Sequence, residues 1–119
     1  MSKIDDHVEE LKKNTEILEY TFAKYNLKLD SYTIALDISG CYPTCFMELS
    51  TINGNKIVKK GADKVNIKIN FYDENENILY HASEEIYADD FDEFDTIKIN
   101  IAELQRCLKK AQKVKIFAR

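Results

Sequence analysis

Val65-Asn66-Ile67-Lys68-Ile69-Asn70-Phe71, followed by Tyr72-Asp73-Glu74-Asn75, alternates apolar and polar side chains without a break and then turns wholly polar. An extended chain sends successive side chains to opposite faces, so the stretch reads as a half-buried strand entering a turn. The same period of two recurs in Tyr32, Ile34, Leu36 and Ile38, and again in Ile97, Ile99 and Ile101. Three such segments, each with one wet face, predict antiparallel β-structure.

Working outward, the spacing predicts strands over Ser31 to Ile38, Cys45 to Ile52, Lys56 to Lys59, Lys64 to Tyr72, Ile78 to Tyr87, Asp95 to Ile101 and Lys113 to Ala118. Asn53-Gly54-Asn55 reads as a hairpin turn, because Asn and Gly tolerate the positive φ that such turns demand. Asp73 to Asn77 reads as a second one. Pro43 lacks a backbone donor, so Ser39 to Thr44 is expected to be a turn or a disrupted edge. Leu104, Cys107, Leu108 and Ala111 have the spacing of a short crossover helix before the last strand.

The N-terminal quarter follows a different rhythm. Ile4, Val8, Leu11, Thr15, Leu18, Phe22 and Tyr25 recur every three or four residues, which predicts an amphipathic helix from about Lys3 to Phe22. Leu18, Tyr20 and Phe22 also alternate with Glu19, Thr21 and Ala23, so a strand competes for the end of that segment. The chain of 119 residues is thus expected to be one domain, with a helical segment over 1–25 and a β-sandwich over 26–119. Short strands at near-regular spacing, with hairpin turns and a single crossover, point to an all-β, immunoglobulin-like antiparallel sandwich.

The run Ile67 to Leu79, then Phe91 and Phe94, then Ile97-Lys98-Ile99, resembles small bacterial immunoglobulin-like domains of the FxLYD kind. In those a strand ends in Tyr-Asp, a polar turn follows, and a returning strand precedes an aromatic residue. The resemblance covers about a third of the chain. It implies a scaffold or adhesive module without a shared catalytic set, and the N-terminal helix departs from it.

Composition narrows the function classes. No run of apolar residues reaches the length of a membrane span, and Met1-Ser2-Lys3-Ile4-Asp5-Asp6-His7 lacks the apolar core of a signal peptide, so a cytoplasmic, non-membrane protein is expected. An odd number of cysteines suits a reducing compartment. The net charge of −4 argues against general nucleic-acid binding, which rests on phosphate neutralisation. The charges are nonetheless segregated. Lys56, Lys59, Lys60, Lys64 and Lys68 form one basic block, Glu84 to Asp95 an acidic one, and Arg106, Lys109, Lys110, Lys113, Lys115 and Arg119 a second basic block. Solvated faces and guarded sheet edges account for such blocks, with recognition of a charged partner as the functional alternative.

Candidate sites are sparse. Cys41, Cys45 and Cys107, with His81 or His7, could in principle supply tetrahedral zinc ligands, but a C-x3-C without a second close pair falls short of a zinc knuckle and reads as packing cysteines. Asp73 and Glu76 in one acidic loop and Asp90 and Asp92 in the next could supply calcium oxygens if the loops met at one end of the sheets, although neither has EF-hand spacing. No nucleophile constellation or phosphate loop stands out, so no enzyme and no cofactor is expected. The leading expectation is a non-catalytic protein-interaction or structural module, with self-association or a protein partner bound through Leu11, Leu18 and Phe22 of the helix and through Tyr42 beside Pro43. A small-ligand or Ca2+-binding sandwich is the alternative. The helix face decides between them: packed on its own sheet it is a lid and the interaction site lies elsewhere, and left exposed it is an interface.

Overall fold

In the computed structural model the described residues are 9–36, 43–52, 64–87, 94–101, 103 and 108–119. They form an all-β protein of two sheets. Seven strands run in chain order as β1 (Thr15–Ile17), β2 (Leu27–Leu36), β3 (Pro43–Thr51), β4 (Lys64–Tyr72), β5 (Ile78–Tyr87), β6 (Phe94–Asn100) and β7 (Lys113–Ala118). One sheet has the order β1-β7-β4-β5, the other β2-β3-β6. The links β3 to β4 and β6 to β7 both pass from the second sheet to the first. Because β3 pairs with β6 and β4 with β7, the two links interlock the sheets.

Alternation builds the core. From β4 come Val65, Ile67, Ile69 and Phe71, from β7 Val114, Ile116 and Ala118, from β3 Cys45, Met47 and Leu49, and from β6 Ile97 and Ile99, all buried. The opposite phase of each strand meets solvent, as the periodicity of the sequence requires. Strands β4, β5 and β7 fall on the expected residues, and β6 within one residue of them. Pro43 opens β3, the central strand of its sheet, where a missing N–H at the first position costs no interior ladder bond. Both edges of β3 are taken by β2 and β6. The expected strand Lys56 to Lys59 and the turn Asn53-Gly54-Asn55 lie outside the described residues.

The continuous N-terminal helix is replaced by three pieces. Residues 9–13 are helical, Thr15–Ile17 is strand β1, and α1 (Glu19–Ala23) is a helix of five residues. β1 lies parallel to β7, with Thr15 opposite Val114 and Ile17 opposite Ile116, so the sheet is not purely antiparallel. The reason is local and tertiary together. Asn14, Thr15 and Ile17 are weak helix formers, and the open edge of β7 offers backbone partners that a helix there would leave unused. Val114 N–H donates to the Asn14 carbonyl at 3.2 Å and Leu18 N–H to the Ile116 carbonyl at 2.9 Å.

Side chains then fix the segment. Thr15 Oγ1 donates to the Leu11 carbonyl at 2.8 Å and shares a hydrogen bond with the Tyr32 hydroxyl of β2. Thr21 Oγ1 donates to the Leu18 carbonyl and accepts from Ala118 N–H at 2.9 Å, which pins α1 to the end of β7. Asn26, at φ 61°, turns the chain from α1 into β2, a conformation that Asn tolerates better than most residues. Before β7 a 3-10 turn, η1 (Leu108–Lys110), stands where the crossover helix was expected. Of its other expected members, Ala111 follows the turn and is buried in the core, while Leu104 and Cys107 lie outside the described residues.

Candidate functional site

The expected partner-binding stripe is not a surface. Leu11 and Phe22 are each 1 % exposed and sit in the core with Leu27 and Ile116, while Leu18 is half-buried, its backbone N–H bonded to the Ile116 carbonyl. Through Leu11 and Phe22 the segment is a lid on its own sandwich. Its apolar period of three and four residues is real, but two helical turns and a strand bury it in place of one helix. Tyr42 lies outside the described residues.

The metal candidates divide similarly. Cys45 points between the sheets, where burial pushes its thiol up to about 12, well away from the thiolate that zinc or nucleophilic chemistry needs. His81 is exposed on the outward phase of β5. Cys41, Cys107 and His7 lie outside the described residues. Both oxygens of Asp73 are engaged within its own turn: Oδ1 accepts from Asn75 N–H at 2.9 Å and Asn77 N–H at 2.8 Å, and Oδ2 from the Asn77 amide at 3.3 Å. These bonds, the one from Asn77 N–H foremost, hold its carboxyl below the usual carboxylate range. Glu76 instead reaches Lys113 Nζ at 3.9 Å. Asp90 and Asp92 lie outside the described residues, and no group of three or more metal-ligating side chains occurs among those described.

What the structure does present is two outward sheet faces of different chemistry. On β2-β3-β6 the outward row carries Thr33, Phe46 and Lys98 side by side, then Ser31, Glu48 and Thr96, then Ser50 beside Phe94. Phe46 is 37 % exposed at the middle of the central strand, and Ile52 and Phe94, both more than half exposed, lie at one end of the same face. Hydroxyl groups and a few charges surround them.

On β5-β4-β7-β1 the outward phase collects residues from both basic blocks. Lys68 of β4 lies directly opposite Phe117 of β7, Asn70 opposite Lys115, and Tyr72 opposite Lys113. Lys115 Nζ sits 5.5 Å from the centre of the Tyr72 ring, and the Asn70 amide donates to the Tyr72 hydroxyl at 3.2 Å. Lys64 pairs with Glu85 at 2.8 Å, and Lys113 approaches Glu16 at 3.6 Å. Among the described residues neither Lys68 nor Lys115 has a carboxylate partner. The two blocks were visible in the sequence. Their meeting depends on the β4–β7 pairing, which joins residues some 45 positions apart and leaves no local signal. The clue available was phase, since Lys64, Lys68, Lys113 and Lys115 all occupy polar positions of their alternations.

A cleft of about 360 Å3 lies between the β4–β5 turn and η1, lined by Asp73, Glu74, Asn75, Lys109, Lys110 and Gln112 without an apolar side chain. That composition is unlike the apolar pockets that hold most small ligands. No helix among the described residues is long and apolar enough to cross a membrane. No protein-family model and no curated protein sequence matches the chain. Among solved structures, the crystal structure of Campylobacter jejuni cj0090 superposes with a TM-score of 0.36 and 11 % identity, over 89 % of this chain and 98 % of its own. So loose a superposition carries no argument about fold type or function.

Proposed function

We propose that the chain is a non-catalytic, immunoglobulin-like interaction module that self-associates through the outward face of β2-β3-β6. The observation that carries the reading is Phe46. A phenylalanine exposed at the centre of the central strand, with Ile52 and Phe94 on the same face, gives an aromatic anchor inside a rim of hydroxyls, the composition typical of a protein-binding patch. A second copy fits it because Glu48 follows Phe46 on the outward phase of β3 and Lys98 lies directly opposite Phe46 on β6. A two-fold axis can set the Glu48 of one copy against the Lys98 of the other.

The immunoglobulin-like part of the reading rests on strand order. In an immunoglobulin sandwich, strands A-B-E lie in one sheet and C′-C-F in the other. The orders β2-β3-β6 and β5-β4-β7, whose pairs are all antiparallel, accord with that pattern, and β1 takes the edge beside β7 where strand G would lie but runs parallel to it.

Sedimentation equilibrium across a wide concentration range tests the proposal. The expected result is a mass that rises with concentration for the natural chain and stays monomeric for Phe46→Glu at unchanged melting temperature. A constant monomer mass for both, or association undiminished by Phe46→Glu, overturns it.

A further inference from the structure

We propose that the outward face of β4 and β7 binds single-stranded nucleic acid, through Lys68 and Lys115 on phosphates and through Phe117 on a base. The inference concerns the sheet opposite the self-association face and stands or falls separately from it. Its starting point is that net charge is a sum over the whole chain, whereas a polyanion meets one face. The chain carries −4, whereas this face sets Lys64, Lys68, Lys113 and Lys115 against Glu16, Glu85 and, from the adjoining turn, Glu76. Most acidic residues of the chain lie elsewhere. A small excess of positive charge thus stands on one side of an acidic protein, at Lys68 and Lys115, and it orients an approaching strand.

Two further features select the class of polyanion. First, Lys68 and Lys115, at the middle of the face, have no carboxylate partner among the described residues, so their charges are available without breaking an ion pair. Second, a ring stands beside them. Phe117 is half-buried directly opposite Lys68, and the Tyr72 ring, under the Lys115 ammonium, holds that charge in place. An acidic peptide would use the lysines and leave the Phe117 ring idle. A single strand uses both, since phosphates meet the ammonium groups and unstacked bases lie on aromatic side chains. The amide of Asn70, between the two rings, adds a donor and acceptor that can serve any base. A duplex fits less well, because its stacked bases present no π-face to a sheet.

Fluorescence anisotropy with a labelled oligothymidine of roughly 10–20 nucleotides, the span of one or two such sites, tests the proposal at low ionic strength. Binding is expected to weaken with salt along a log–log slope of about −1.4 to −2.8, the range for two to four neutralised phosphates on a single strand. Lys68→Glu with Lys115→Glu should reduce affinity about tenfold or more. Phe117→Ala should reduce it about fivefold, the lower end of what one stacked base contributes. Lys12→Glu with Lys24→Glu, exposed in the N-terminal segment and on neither sheet face, should leave it unchanged. Thermal melting confirms that each variant is folded. Absence of binding by the natural chain overturns the proposal, and so does equal loss in the Lys12/Lys24 control. Binding that heparin or polyglutamate competes for equally, and that Phe117→Ala leaves untouched, overturns it in favour of a charge-only polyanion surface.

Discussion

Asp73 closes the β4–β5 turn with one carboxylate, which satisfies the backbone N–H groups of Asn75 and Asn77 and the Asn77 side chain at once. With those donors in place the turn accommodates Glu76 at φ 64° without a glycine. Because the folded-state pKa of Asp73 lies below its ordinary value, its contribution is present above the unfolded pKa near ~4 and is lost as pH falls through the folded value. Asp73→Ala should therefore melt below the natural chain at pH 7. The gap should close when both are melted at a pH below the ordinary carboxylate range. A gap of constant size across that range would mean that the charge of Asp73 contributes nothing to the turn. The aspartate that composition offers as a calcium ligand is, on this geometry, a turn residue.

Among the elements, the N-terminal segment shows best how far periodicity can be read. Spacing put Leu11 and Phe22 on one apolar face and left open whether the chain's own sheet or a partner covers it; the chain's own core does. Spacing did not identify the structure that does so. Asn14, Thr15 and Ile17 follow β7, and a parallel partner about a hundred residues away has no trace in a local window. Strands β4 and β5 were legible to the residue because both pairing partners and the turn lie within one stretch of chain, and the candidate faces were not, because they are made by strands distant in sequence. Edge strand β5 also explains part of the acidic block. Glu84 shares a phase with Ala82 and Ile86 yet is exposed, and a charge on the inward phase of an edge blunts pairing with other sheets. Burial sets the expected mutational contrast within the lid: Leu11→Ala should cost about 2–5 kcal/mol. Tyr20→Ala, on the exposed side of α1, should change stability by less than about 0.5 kcal/mol in chemical denaturation.

For the whole molecule, Cys45 is a reporter placed by the fold itself. It is fully buried on the central strand of one sheet and faces the other, so a reagent reaches it only when the sandwich opens. In a Cys41→Ser, Cys107→Ser background, labelling at mildly alkaline pH should proceed at the rate of global unfolding and accelerate with denaturant as unfolding does. Rapid labelling of the native protein would contradict a sealed core. The raised thiol pKa adds a linkage: stability is full below the ordinary value of 9.0 and declines as pH rises from there toward about 12, since only the unfolded thiol ionises in that window. The parallel pairing of β1 with β7 bears, finally, on the order in which a ribosome delivers the chain. Thr15 emerges about a hundred residues before Val114, a wait of roughly 5–20 s at ordinary elongation rates. Throughout that interval Leu11 and Phe22 have no finished sandwich to cover, and the earliest residues made are among the last to find their place.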